Sequence, residues 1–181
     1  MTHEGQVRIG QVRVGQGIDV HRFAEDGERP LALGGIMIPD ERGLDGHSDG
    51  DVVLHAVVDA LLGATALGDL GTRFGTDDPA YAGAASSLFI AEAFRMVKEA
   101  GWAVGNLDIT IVAQRPRISP HRAAMAVRLA DLLSLSSSAV SVKATTTDGL
   151  GMLGRGEGIA CTAVVLLHRV GWVSAPQQPA P

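Results

Sequence analysis

Apolar and polar positions alternate with period two in four stretches of the chain, which predicts strands at about 12–20, 107–114, 140–146 and 159–170. The run LALGG-IMI at 31–38 reads as a short hairpin turning on its two glycines. Two segments follow the helical period instead. One runs from about Asp51 to Leu67, and one spans 86–100 and stops on Gly101. A third helix is expected to open at Ser119-Pro120, an N-cap followed by proline in the first turn, and to continue to about 133. The pattern therefore predicts an α+β domain over 12–171, a mixed four-stranded sheet plus a small hairpin, with helices on one face. QVRIG at 6–10 recurs as QVRVG at 11–15, and residues 1–11 read as an N-terminal extension. Residues 172–181, Pro-rich and without apolar pattern, read as a disordered tail.

The helix beginning near Asp51 carries the first chemical signal. It is apolar nearly all round (Val52, Val53, Leu54, Val57, Val58, Leu61, Leu62), so it should be buried. Asp51, His55 and Asp59 break that pattern at i, i+4 and i+8, one stripe down the helix. A buried polar group left without a partner costs about 1–3 kcal/mol, so the stripe must be paired, hydrated or metal-bound. GIDVHRF places Asp19 and His21 two apart on a strand, hence on one face. On its own this pair reads first as the polar face of a strand end. Joined with His55 it makes a two-histidine, one-carboxylate set, which leaves a tetrahedral metal one open position. Asp59 either orients His55 from behind or pairs with a neighbouring segment.

Composition narrows the chemistry. With 46% hydrophobic and 4% aromatic residues, the core must be aliphatic. A net charge of -5 argues against nucleic acid, which would demand a basic face. No apolar run approaches the ~20 residues that span a bilayer, and the start lacks the apolar core of a signal peptide, so a cytoplasmic protein is expected. Cys161 is the lone cysteine and reads as a small buried residue. VKATTTDGLGMLGRGEGIA sets three threonines, an aspartate, five glycines and Arg155 at a strand end, which suits either a phosphate cradle or a glycine-rich hairpin. AQRPRISPHR adds Arg115, Arg117, His121 and Arg122 at a helix start, either a phosphate site or a solvated turn. Metal-assisted chemistry on a phosphorylated small molecule is the reading these residues support together.

Four segments in order, GIDVHRF, GHSDGDVVLHAVVDALLGATALGDLGTRF, DITIVAQRPRISPH and KATTTDGLGMLGRGEGIA, resemble the 2-C-methyl-D-erythritol 2,4-cyclodiphosphate synthases of the non-mevalonate isoprenoid pathway. The resemblance covers roughly residues 12–170. It implies a ferredoxin-like or chorismate-mutase-like domain in a homotrimer, sheets packed around the axis and each site shared between neighbouring subunits. It implies an intramolecular attack on a cytidine-diphosphate-linked substrate that releases CMP and closes a cyclic diphosphate. The length leaves no room for the cytidylyltransferase domain fused to some members, so one activity is expected.

Asp19, His21 and His55 would bind Zn2+, while His47 and Ser48 would face the substrate, His47 steadying the diphosphate. Asp69, Leu70 and Gly71, then Phe74, Gly75, Thr76, Asp77 and Asp78, would hold the methylerythritol phosphate. Ala113, Gln114, Arg115, Pro116, Arg117, Ile118 and Ser119 would meet the cytosine. Thr145, Thr146 and Thr147 would flank the diphosphate, Thr146 stabilising the transition state, and Asp148 would help hold a second ion, Mg2+ or Mn2+. Met152 and Arg155 complete the substrate side; Arg155 and Glu157 would lie nearer the axis, where some members bind an isoprenoid phosphate. Three positions depart from the family's usual residues: Asp148 stands where Glu is frequent, Met152 replaces an aromatic, and FGTDD replaces FPDTD. A zinc phosphohydrolase and a non-catalytic isoprenoid-phosphate binding protein are the competing readings of the same residues.

Overall fold

The computed structural model describes residues 12–171 except 26, 28, 76–80 and 82. The extension at 1–11, the tail at 172–181, and Thr76, Asp77 and Asp78 lie outside the described residues.

Strand β1 (Val12–Arg22) leads through a hairpin, β2 (Pro30–Leu33) and β3 (Ile36–Arg42), into helix α1 (Val52–Thr65). A short helix α2 (Leu70–Phe74) and a longer α3 (Ser87–Glu99) follow, then β4 (Trp102–Val112), α4 (Arg122–Leu132), β5 (Val140–Thr145), α5 (Gly151–Gly154) and β6 (Gly158–Arg169). The main sheet has the order β1-β6-β4-β5; β6 is antiparallel to both neighbours, and β4 runs parallel to β5. The mixed four-stranded sheet, the separate hairpin and the helices follow the pattern of the sequence. A parallel pair joined through α4 distinguishes its connectivity from the βαββαβ order of a ferredoxin-like unit.

One face of the sheet is the core face. Ile159, Cys161, Ala163, Val165 and Leu167 of β6 and Leu107, Ile109 and Ile111 of β4 are fully buried there. Helix α1 packs across β1 and β6, α3 against β4 and α1, and α4 against β5. Among the described residues no helix lies on the opposite face, and Val14, Ile18, Val20 and Val164 are exposed on it.

Three local departures have physical causes. Strand β4 begins five residues earlier than the alternation predicts, because its register slips between Val104 and Asn106. Trp102 and Val104 are buried, then Leu107, Ile109 and Ile111, so a bulge at Gly105 breaks the period. Helix α4 starts at Arg122 with His121 as its cap residue, not at Ser119. The amide of His121 donates to the Ile118 carbonyl at 2.9 Å, closing a turn that holds Ser119 and Pro120 outside the helix. Helices α2 and α5, five and four residues long, are too short to show a period.

Candidate metal and phosphate site

The site starts with how closely α1 lies on β1. Gly15 and Gly17 face the helix, and a Cβ on either would fall about 2 Å from the Ala60 or Ala56 carbonyl oxygen, respectively. Only glycine permits that approach. Two and four residues beyond Gly17, on the same face of β1, come Asp19 and His21, while His55 sits one turn into α1.

Their donor atoms converge. Nδ1 of His55 lies 3.0 Å from Oδ2 of Asp19 and 3.3 Å from Nε2 of His21, which is itself 3.0 Å from Asp19 Oδ2. Each imidazole is held from behind. Nδ1–H of His21 donates to the Asp45 carbonyl, leaving Nε2 free to ligate. That carbonyl belongs to a loop tied down by Arg29, whose Nη1 donates to the carbonyls of Leu44 at 3.1 Å and Gly46 at 2.8 Å. His55 is engaged in the opposite sense: Nε2 meets Ser86 Oγ at 2.9 Å and Ser48 Oγ at 3.1 Å, and Nδ1 points into the site. Two imidazole nitrogens and one carboxylate oxygen, each with its other atom occupied, fit a divalent cation.

Electrostatics agree with that fit. Burial works against ionisation of Asp19, yet hydrogen bonds from His21 and His55 hold its carboxyl well below the usual range. Burial likewise opposes protonation of His21, and the Asp19 carboxylate and the Asp45 carbonyl outweigh it and raise its pKa.

A cavity of about 300 Å³ opens on these donors, lined also by His47, Ser48, Asp59, Leu70, Gly71, Gly75, Tyr81 and Phe89. Asp69 is exposed and caps α2 by accepting from the Thr72 amide at 2.7 Å. Phe74 is buried against Phe89 and Tyr81, ring centroids 5.0 and 5.9 Å away, so it supports the wall from behind.

The other described residues of the prediction do not line this cavity. Ala113 to Ser119 follow β4, and Thr145 ends β5 with Thr146 to Asp148 just beyond, at the same end of the sheet as Asp19 but toward its other edge. Asp19, Cys161, Ile111 and Ala144 form one row across four strands, so β5 stands three spacings, roughly 14 Å, from β1. Ala113, Pro116 and Ile118 are buried, whereas Gln114, Arg115, Arg117 and Ser119 are exposed. Thr146 Oγ1 donates to Asp148 Oδ1 at 3.3 Å, and Thr147 Oγ1 to the Leu150 carbonyl at 2.6 Å, in an exposed turn where Asp148 has φ 52. Met152 is exposed, and Arg155 pairs with Glu157 at 2.6 Å.

The helical stripe divides. Asp51 does not join His55. It precedes the first helical residue, and its carboxylate accepts from the amides of Gly34, Gly35, Val53 and Leu54, locking the hairpin turn onto the helix start. Asp59 accepts from the Leu70 amide at 2.8 Å, so it anchors α2 and leaves His55 to other partners. The groups behind the two imidazoles, Ser86 with Asp49 for His55 and the Asp45 carbonyl with Arg29 for His21, were not legible. Ser86 lies 31 residues from His55, and a backbone carbonyl has no sequence signature.

The profile of the YgbB family matches residues 12–168. The chain belongs to the YgbB family. Among the family's curated members, 2-C-methyl-D-erythritol 2,4-cyclodiphosphate synthase of Yersinia enterocolitica is 55% identical over 159 residues, 88% of this chain and 98% of its own. The family's solved structures include the CDP complex of IspF from Plasmodium falciparum, with 34% identity and TM-score 0.76 over 87% of this chain and 96% of that one. The bifunctional IspDF from Campylobacter jejuni superposes with TM-score 0.83 and 40% identity; this chain covers 87% of itself and 42% of that larger protein. No helix among the described residues is long and apolar enough to cross a membrane.

Proposed function

We propose that the chain is a 2-C-methyl-D-erythritol 2,4-cyclodiphosphate synthase. An oxygen of the substrate's 2-phosphate forms a bond to the β-phosphorus, the bond to the oxygen bridging the α-phosphate breaks, and that oxygen departs with CMP. The observation that carries the reading is the convergence of Asp19, His21 and His55 on a cavity bordered by His47 and Ser48, in a chain 55% identical to relatives of that name.

The attacking phosphate is already ionised at neutral pH, so the protein needs no general base. It must fold a flexible substrate into ring-closing geometry and balance the charge of two phosphoryl groups. Asp19, His21 and His55 would hold Zn2+, which when bound supplies Lewis acidity and charge neutralisation at the β-phosphate. Asp148 would help hold a second ion, Mg2+ or Mn2+, its side chain presented by the left-handed backbone at φ 52. His47 borders the cavity and would steady the diphosphate, and Thr146 would hydrogen-bond the phosphoryl oxygens. Asp69, the α2 segment Leu70–Phe74 and Gly75, with Thr76, Asp77 and Asp78, would enclose the methylerythritol phosphate. Backbone groups of Ala113 to Ser119 would read the cytosine.

Asp19 and His21 lie on the edge strand β1, and the loops after β4 and β5 lie toward the other edge at the same end, with β5 roughly 14 Å from β1. A ring of copies joins one edge to the next copy's other edge, and the helix-free face with its exposed Val14, Ile18 and Val164 would be covered around the axis. This supports a homotrimer with sites between subunits. An isoprenoid phosphate on that axis, near Arg155 and Glu157, and a cytoplasmic location belong to the same reading.

The test is chromatography of products from the cytidine-diphosphate-linked substrate with added divalent metal. CMP and a cyclic diphosphate in equal amounts are expected. A linear phosphate product, or no CMP, overturns the assignment.

A further inference from the structure

We propose that Tyr81 and Phe89 form, with Leu70, an apolar wall that holds the methyl branch of the substrate and makes the enzyme selective for a methyl-branched polyol phosphate. The inference rests on the cyclodiphosphate synthase reading and deepens it. It starts from two unlike sets of residues around one cavity. Asp19, His21, His47, Ser48, His55 and Asp59 are polar, whereas Leu70, Tyr81 and Phe89 bring apolar surface to the same space. Apolar lining is common in ligand pockets, and what it recognises is decided by the ligand's own apolar groups.

Aromatic side chains are scarce in this chain, with four Phe, two Trp and one Tyr. Phe74, Tyr81 and Phe89 nevertheless meet at this cavity. The Phe89 ring centroid lies 5.0 Å from Phe74 and 5.3 Å from Tyr81, and Tyr81 stands edge-on to Phe74 at 5.9 Å and 89°. Such packing fixes each ring against the others, so the wall is set before a ligand arrives. The backbone places Tyr81 as well. Its carbonyl accepts from the Ala84 amide at 3.0 Å, and the Gly83 amide donates to the His47 carbonyl at 2.8 Å, which ties this turn to the segment of His47 and Ser48. Phe89 also lies 6.2 Å from the His55 ring, so the wall begins one side chain away from the convergent Asp19, His21 and His55.

The substrate offers one group that can use such a wall. Carbons C1, C3 and C4 of the methylerythritol carry hydroxyl or phosphate oxygens, and C2 carries the 2-phosphate together with the methyl. The cytidine would lie with the loops after β4 and β5, toward the other edge of the sheet. The methyl is therefore the apolar group left for Leu70, Tyr81 and Phe89. It sits on the carbon that bears the attacking phosphate. Holding it fixes rotation about C2, and with it the direction in which the 2-phosphate approaches the β-phosphorus. The wall should then act on kcat as well as on KM.

The test measures CMP release from the natural substrate and from its unbranched analogue, the same molecule built on erythritol, in the unaltered protein, Tyr81→Ala, Leu70→Ala and Tyr81→Phe. A methyl branch also favours ring closure in the free molecule, so the readout is the change in the ratio of kcat/KM between the two substrates. One methylene in an apolar pocket is worth about 10–200-fold in kcat/KM, and the ratio is expected to fall about tenfold in Tyr81→Ala, part of it in kcat. Leu70→Ala should move the ratio in the same direction, and it carries the test if Tyr81→Ala does not fold. Tyr81→Phe keeps the ring and should keep the ratio. Folded alanine variants that lose activity equally on both substrates overturn the proposal. Release of CMP from neither substrate by the unaltered protein would instead overturn the synthase reading and take this inference with it.

Discussion

Gly17→Ala is expected to separate the metal donors more than it destabilises the fold. A Cβ at residue 17 would lie 2.0 Å from the Ala56 carbonyl oxygen and 2.8 Å from the Ala60 amide nitrogen, whereas real Cβ contacts essentially never fall under 3.0 Å. The difference, 3.0 − 2.0, means that β1 and α1 must part by about 1 Å. Asp19 and His21 ride on that strand, and His55 is the residue before Ala56 on that helix. Most of the displacement therefore reaches the 3.0 Å gap between His55 Nδ1 and Asp19 Oδ2. Metal–ligand distances tolerate only about 0.2 Å. Losing one ligand should weaken Zn2+ by more than the about 10–100-fold produced by disturbing an outer partner. Overpacking of this kind destabilises a fold by about 1–3 kcal/mol. The assay is calorimetric Zn2+ titration of metal-stripped protein beside urea unfolding. Gly63→Ala is the control: it lies on the same helix, exposed, with its nearest neighbour, the Gln16 carbonyl oxygen, 3.9 Å away. It should keep full metal affinity and gain up to about 1 kcal/mol from helix propensity. Folded Gly17→Ala that binds Zn2+ as tightly as the unaltered protein would refute the argument.

Two further outcomes follow from the site's surroundings. Asp51→Ala strands four backbone amides at once, and the loss of a cap plus several unsatisfied groups should lower stability by about 3–5 kcal/mol in urea unfolding; a loss under about 1 kcal/mol would show that the hairpin finds other partners. The raised pKa of His21 makes the pH dependence of the two forms opposite. In metal-free protein the protonated His21 contributes stability that is fully present below the ordinary imidazole pKa and fades as pH rises through the raised value. Zn2+ must displace that proton, so its affinity should climb with pH until His21 is neutral, with proton release measurable by titration in buffers of different ionisation heat. Asp19, its pKa depressed, stays ionised across this window and adds no slope. A flat affinity through the imidazole range would contradict the ligand assignment of His21.

What was legible in the sequence follows from which signals are periodic. The strands, the glycine hairpin and α1 were legible because their burial repeats. The first half of β4 was hidden by the bulge at Gly105, which reverses the phase after two correct positions. The polar stripe misled at its start for a related reason. A spacing of i, i+4 describes one helix face only between helical residues, and Asp51 is the cap, with extended φ -68 and ψ 90. Its side chain therefore turns back to the hairpin instead of pointing along the face of His55. The residues expected to meet the nucleotide were named by resemblance, but their position across the sheet from Asp19 and His21 depends on strand order. Local sequence carries no record of which strands become neighbours.

A further pattern was present in β1 and only half read. The alternate residues Gly15, Gly17, Asp19 and His21 share one strand face, two positions without side chains followed by two of metal-ligand type. The two glycines face Ala56, Ala60 and Ala64 on α1, so the contact there is built almost wholly from backbone and Cβ atoms. Such a contact is valuable for what it leaves further along. The short carboxylate of Asp19 reaches the imidazole of His55 only because the helix has been brought in so close one row earlier. The convergence of Asp19, His21 and His55 therefore depends on residues that contribute no donor atom. A strand whose buried face steps from the smallest side chains to metal-ligand types marks both the close approach and the place where the ligands stand.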